Sequence, residues 1–105
     1  MVREAHFDEA IHALTRLRLC ALLRPLAHAE FSVLRSELDV SEANLSKTIR
    51  QLVEIGYLQT AKRTSADRPD ARLRTTVAMT RKGRRAFDGH LAALRALEHE
   101  DERER

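Results

Sequence analysis

At 105 residues the chain has length for one domain with a single core, and too little for a separate ligand domain of ordinary size. Leu and Ala dominate, with three Phe, one Tyr and no Trp, which predicts a helix-dominated fold. No apolar run reaches the roughly 18 residues of a membrane span, and the start M-V-R-E-A-H-F-D-E-A lacks a signal peptide's apolar stretch, so a cytoplasmic location without membrane attachment is expected. A single cysteine excludes an intramolecular disulfide framework, and Cys20 within L-R-L-C-A-L-L reads as core filling. The net charge of +3 hides a segregation: residues 1–40 sum to −1, residues 41–85 to +7 and residues 86–105 to −3. The electropositive middle suits a polyanionic partner, and a plain solvated surface is the blander reading of the same run.

In chain order, Ile11 to Leu23 reads as the first helix. Leu14, Leu17, Leu19, Leu22 and Leu23 cover more than one side of it, which implies a second covering surface such as another subunit. His12 near its start serves as a cap or local packing, and Pro25 ends the regular helix. After a loop over residues 26–30, F-S-V-L-R-S-E-L starts a second helix with Ser32 as its expected cap and Phe31, Leu34 and Leu38 facing inward. Asp39-Val40-Ser41 is a tight connection into a third helix over 41–55. Ser41 caps it, Gly56 suits a left-handed exit, and Leu45, Ile49, Leu52 and Ile55 form its buried face. The opposite face offers Asn44, Ser46, Lys47, Arg50 and Gln51, side chains suited to phosphates and base edges. A helix-turn-helix and a generic helical hairpin share these features.

The period then changes. Tyr57 to Ala61 reads as a strand leading out to Lys62 and Arg63, and Leu73, Thr75, Val77 and Met79 alternate as a returning strand. The intervening K-R-T-S-A-D-R-P-D-A-R makes a basic hairpin in which Lys62, Arg63, Arg68, Arg72 and Arg74 are candidate phosphate or minor-groove contacts. A basic hairpin following a polar-faced helix points to duplex DNA. Thr80 caps a last helix running to about Glu100, with Phe87, Leu91, Leu94 and Leu97 as an apolar stripe longer than the domain can cover. With Leu14, that stripe is the expected contact of a symmetric homodimer. Gly83 and Gly89 mark a close crossing or simple tolerance. The tail over 101–105 is charged, so the expected organisation is one DNA-binding unit over 1–100 followed by that tail.

The runs T-R-L-R-L-C-A-L-L, F-S-V-L-R-S-E-L-D-V-S-E-A-N-L-S-K-T-I-R-Q-L-V-E-I-G-Y-L and V-A-M-T-R-K-G-R-R-A-F give the chain a resemblance to winged helix-turn-helix transcriptional regulators of the MarR/ArsR-like type. It is most similar to the small, single-domain members without an effector domain. The resemblance covers about Thr15 to Leu94 and implies a mainly α fold with a small β-hairpin, the wing, and a long C-terminal dimerisation helix. It implies that Asn44, Ser46, Lys47, Arg50 and Gln51 face the major groove or adjacent phosphates. It also implies that Arg68 enters the minor groove, with Lys62, Arg63, Arg72 and Arg74 flanking it. Thr48 departs from the His frequent in similar members, and packing is the expected consequence.

The expected function is sequence-specific double-stranded DNA binding by a homodimer that reads a near-palindromic operator, with recognition helix 41–55 and wing 62–74. An enzyme is not expected: no Gly-rich phosphate loop, paired carboxylates in an apolar setting, or nucleophile with a placed base is present. No cofactor or metal site is expected either, since His6, His12, His28, His90 and His99 form no compact ligand set in sequence and no CxxC pair exists. A metal or small-molecule effector held between subunits, and a protein-interaction module, remain the alternatives.

Overall fold

The computed structural model describes residues 5–64 and 73–103, with side chains described through residue 99. Among the described residues, five helices and three strands follow in the order α1 (Glu9–His12), α2 (Leu14–Leu23), β1 (Ala29–Glu30), α3 (Phe31–Leu38), α4 (Glu42–Glu54), β2 (Leu58–Thr64), β3 (Leu73–Met79) and α5 (Arg81–Arg103). The result is the mainly helical architecture with a small antiparallel sheet and a long C-terminal helix expected of a winged helix-turn-helix.

The first helix is broken where the sequence suggested continuity. Asp8 caps α1, its side chain accepting from the Ile11 N–H at 3.2 Å, and Ala13, with ψ of 135°, turns the chain before α2 begins. The break lets Ile11 and the Leu19, Cys20 and Leu23 face of α2 enter the same core, while Leu14 stays 70 % exposed. Helix α3 begins one residue before the expected Ser32 cap: Glu30 occupies the cap position, without a side-chain bond. Its Leu34 and Leu38 are buried, and Asp39 ends it in the left-handed region at φ 53°.

Local chemistry fixes α4 at both ends. The Ser41 hydroxyl oxygen accepts from the Asn44 N–H at 3.1 Å, satisfying an otherwise orphan donor. Gly56 leaves at φ 85°, a conformation costly for any residue with a Cβ. Leu45, Ile49 and Leu52 are buried as their spacing requires, and so is Thr48, whose hydroxyl donates to the Asn44 carbonyl at 2.9 Å. Ile55, assigned to the buried face from its spacing, is 38 % exposed, because the helix ends at Glu54 and the chain has begun to turn.

The sheet order is β1-β3-β2, antiparallel throughout. Leu58 pairs with Met79 and Thr64 with Leu73, so the hairpin stays in register over its described length. The two residues of β1 pair with Val77 and Thr76 and bury Ala29 in a segment the sequence reading left as loop. Helix α5 is seated by three contacts around its start. The Thr80 hydroxyl accepts from the Gly83 N–H at 3.0 Å and donates to the Gly56 carbonyl, while the Thr80 N–H donates to the Tyr57 carbonyl. Farther along, Arg24 meets Asp88 through two 3.0 Å bonds, and Arg84 donates to the carbonyls of Arg24 and Leu26, tying the α2–β1 loop to α5.

Candidate nucleic-acid interface

The buried face of α4 fixes which side chains its other face can offer. With Leu45, Thr48, Ile49 and Leu52 turned inward, Ser41, Asn44, Ser46, Lys47 and Arg50 are all exposed. Ser41 accepts one bond at the cap through its hydroxyl oxygen and keeps its hydroxyl proton to donate. Asn44 receives a second, longer contact from Thr48 at its Oδ1, 3.4 Å away.

Gln51 is placed differently. It is half-buried, and its Oε1 accepts from Arg16 Nη2 at 2.6 Å, so the acceptor needed for a two-bond contact with adenine is already engaged by α2. The spacing of Gln51 from Arg50 put it on the edge of the polar face, and only the tertiary position of Arg16 turns it inward. Arg16 also donates to the Ala10 carbonyl, so it bridges α1 to α4.

The hairpin stands beside this face. Glu42, Ser46, Ile49, Arg50 and Val53 of α4, Thr60 and Thr75 of the hairpin and Phe31 of α3 line one open cavity of about 380 Å³. Thr60 and Thr75 were absent from the sequence-derived set. Strand alternation could have found them, since Thr60 lies two residues before Lys62 and therefore on the same face. Lys62 reaches across to its register partner Thr75, donating to its hydroxyl at 2.7 Å. Arg63 and Arg74 are register partners on the reverse face, where they line a second cavity with His28, Glu30 and Thr76. Among the described residues, the basic side chains of the hairpin are thus divided between two faces, with Lys62 on the side of Arg50. Arg68 and Arg72 lie outside the described residues.

The residues assigned to dimerisation also separate. Leu14 and Leu97 are exposed, at 70 % and 55 %, and Leu91 and Leu94 are half-buried. Phe87 is 4 % exposed and belongs to the core of the single chain, because the first turns of α5 lie over the sheet before the helix runs past it. Its stripe spacing is real, but its ring is consumed by folding.

Behind the interface, Cys20 and Tyr57 are held in their neutral forms. Burial pushes the Cys20 thiol up to about 12, with the Asp8 charge adding to it, so a thiolate nucleophile is disfavoured. Burial also raises Tyr57 to about 12, reinforced by the bond its hydroxyl donates to Asp8. Among the described residues, no set of three or more His, Cys, Asp or Glu is arranged to hold a metal ion, and no helix is long and apolar enough to cross a membrane.

Comparison with known proteins agrees with this geometry. A solved structure of a transcriptional regulator homologue from Pyrococcus horikoshii OT3 superposes with a TM-score of 0.78 at 30 % identity, over 88 % of this chain and 87 % of that one. A MarR family transcriptional regulator from Silicibacter pomeroyi DSS gives a TM-score of 0.63 at 26 % identity, over 88 % of this chain and 58 % of the other. An uncharacterised protein of Methanocaldococcus jannaschii is 29 % identical over 86 residues, which is 82 % of this chain and 89 % of that relative. Residues 15–97 match the family model of the winged helix DNA-binding domain, the span that holds α2, the turn, α4, the hairpin and most of α5. The exposed polar helix, the adjoining hairpin and this match lead to one conclusion: the chain belongs to the winged helix DNA-binding domain family.

Proposed function

We propose that the protein is a MarR/ArsR-like transcriptional regulator that acts in the cytoplasm as a homodimer on a near-palindromic duplex site. Each copy inserts α4 into a major groove, with Ser46, Lys47 and Arg50 dividing between phosphates and base edges and Asn44 reading an adenine edge. Lys62 holds the backbone next to α4, and Arg63 and Arg74 extend the contact from the hairpin's other face. Leu14, Leu91, Leu94 and Leu97 pair the two copies, which sets the recognition helices about one DNA turn, roughly 34–36 Å, apart. Residues 1–100 act as the DNA-binding unit. The observation that supports the reading best is the cavity shared by Arg50 and Ser46 of α4 with Thr60 and Thr75 of the hairpin, because it puts helix and hairpin beside one another where a single duplex can meet both.

Selection of duplexes from a random pool should return a consensus of two related half-sites. On that consensus and on random duplex, Arg50→Ala and Lys62→Ala separate two kinds of contact. Arg50→Ala should lose ~1–3 kcal/mol of discrimination, tenfold or more, if its guanidinium bonds a base in two places. Lys62→Ala should weaken both duplexes alike and lower the salt dependence by about one counterion. Unchanged affinity in both variants, with no consensus from the pool, would refute the assignment.

A further inference from the structure

His90 is fully buried on α5, where the segment before α1 crosses the helix. The Asp8 main-chain N–H donates to His90 Nδ1 at 3.0 Å, and a main-chain amide can only donate. His90 Nδ1 therefore carries no proton, and the neutral ring holds its proton on Nε2. That nitrogen lies 3.3 Å from His12 Nδ1, which must be the acceptor, leaving the proton of His12 on its own Nε2. Phe7 closes over both rings at centroid distances of 4.9 and 4.8 Å, and the His6 N–H donates to the Gly89 carbonyl at 2.9 Å. Each link in this chain needs a neutral imidazole. A second proton on His90 would meet the Asp8 N–H, and a second proton on His12 would meet the His90 N–H. The same polarity disfavours a metal ion between the rings, because a ligating His90 Nε2 would require a proton on Nδ1, where Asp8 already donates.

We propose that His90, bridged to His12, is an acid-sensitive latch, which holds residues 5–12 against α5 while its ring is neutral and releases them when that ring is protonated. The groups facing the junction are Asp8 and His12 from the segment and α1, Arg16 and Cys20 from α2, and Tyr57 from the exit of α4. Burial, and after it the neighbouring His12, holds His90 below the ordinary histidine range, with the Asp8 charge opposing them. The sign follows from a lowered native value: the closed segment is fully favoured above the ordinary range near 6.5, and loses that advantage as pH falls through the native value. The consequence reaches the DNA-facing helix through Asp8. Its carboxylate caps α1 and accepts from the Tyr57 hydroxyl just past Gly56, so release of the segment unfastens the exit of α4.

Amide hydrogen exchange by NMR on the full chain tests the latch without DNA, so its failure is separate from failure of the regulatory reading. Protection of the Asp8 amide, corrected for intrinsic exchange, should fall at least tenfold between about pH 7.5 and about pH 5, while amides in the middle of α4 stay protected. His90→Asn keeps an acceptor near the Nδ1 position but cannot titrate, and should make Asp8 protection independent of pH over that range. His12→Asn, a milder change at an exposed residue, should make the loss smaller, because His12 is one of the groups that hold His90 below its ordinary range. Wild-type protection that does not change with pH would overturn the proposal, as would a loss of unchanged size in His12→Asn or a persistent loss in His90→Asn.

Discussion

Gly83 has no room for a side chain. A Cβ built on it would lie 2.1 Å from the Tyr57 carbonyl oxygen, and that oxygen also accepts the Thr80 N–H that seats α5. The close crossing that two glycines in α5 left open as one reading is thus the physical reason for this one. Gly83→Ala must push Tyr57 away or tilt α5, and overpacking of this kind costs about 1–3 kcal/mol. The gain in helix propensity from the same change, about 1 kcal/mol, opposes it and does not reverse the sign. Urea unfolding of Gly83→Ala should show a lower midpoint with an unchanged slope, and a midpoint at or above that of the wild type would contradict the crossing. Single residues also show why a polar side chain on the right helix face need not reach a ligand. Gln51 and Arg50 are neighbours in sequence, yet Arg16 holds one inward and leaves the other exposed.

Helix α5 feeds the core at its start and, in the proposed homodimer, the subunit contact farther along, and mutation separates the two. Its first turns supply Phe87 to the core, whereas Leu94, half-buried, and Leu97, 55 % exposed, lie farther along. If the proposed homodimer forms through this stretch, the wild type should sediment as a dimer, and a Leu94→Glu/Leu97→Glu variant should keep its helical circular dichroism and sediment as a monomer. Phe87→Ala should instead lose ~3–5 kcal/mol of stability. A double variant that remains dimeric would move the subunit contact elsewhere. The same contrast explains what could be read from the sequence. Helix α4 was legible because its signals are local: the Ser41 cap, the apolar spacing of Leu45, Ile49 and Leu52, and the Gly56 exit all lie within one stretch. The hairpin was legible through the change from a period near four to a period of two over Leu73–Met79. Three features were not legible, for a common reason. The break at Ala13 has no Gly or Pro to announce it, β1 is too short to show alternation, and Phe87 continues a stripe whose first part happens to meet the sheet. Each is decided by what packs against the segment, which local spacing does not encode.

At the scale of the whole molecule, the N-terminal segment, α2, the exit of α4 and α5 meet around Asp8, and the charge of this one carboxylate sets how the junction answers to base. Asp8 accepts from Tyr57, and its charge raises both Tyr57 and Cys20 beyond what burial alone does. For a group whose neutral form is the acid, a native value above the unfolded one means that folding favours the protonated state. Stability from Tyr57 is therefore complete below its unfolded value of 10.0 and is lost as pH rises toward about 12; the thiol of Cys20 behaves alike from 9.0 upward. Tyr57→Phe isolates the first contribution, because it removes the hydroxyl while keeping the ring that Lys82 faces at 5.7 Å. Near neutral pH the variant should be less stable by about 1.5–3 kcal/mol, the range for a hydrogen bond to a charged group. As the wild-type hydroxyl ionises, tyrosinate and carboxylate repel, so the gap between the two proteins should narrow steadily above the unfolded value. Urea midpoints for both, measured from neutral pH to pH 11, test this directly. A gap that stays constant over that interval would mean that Asp8 and Tyr57 do not share a proton-dependent bond, and that the N-terminal segment is held to the exit of α4 by packing alone.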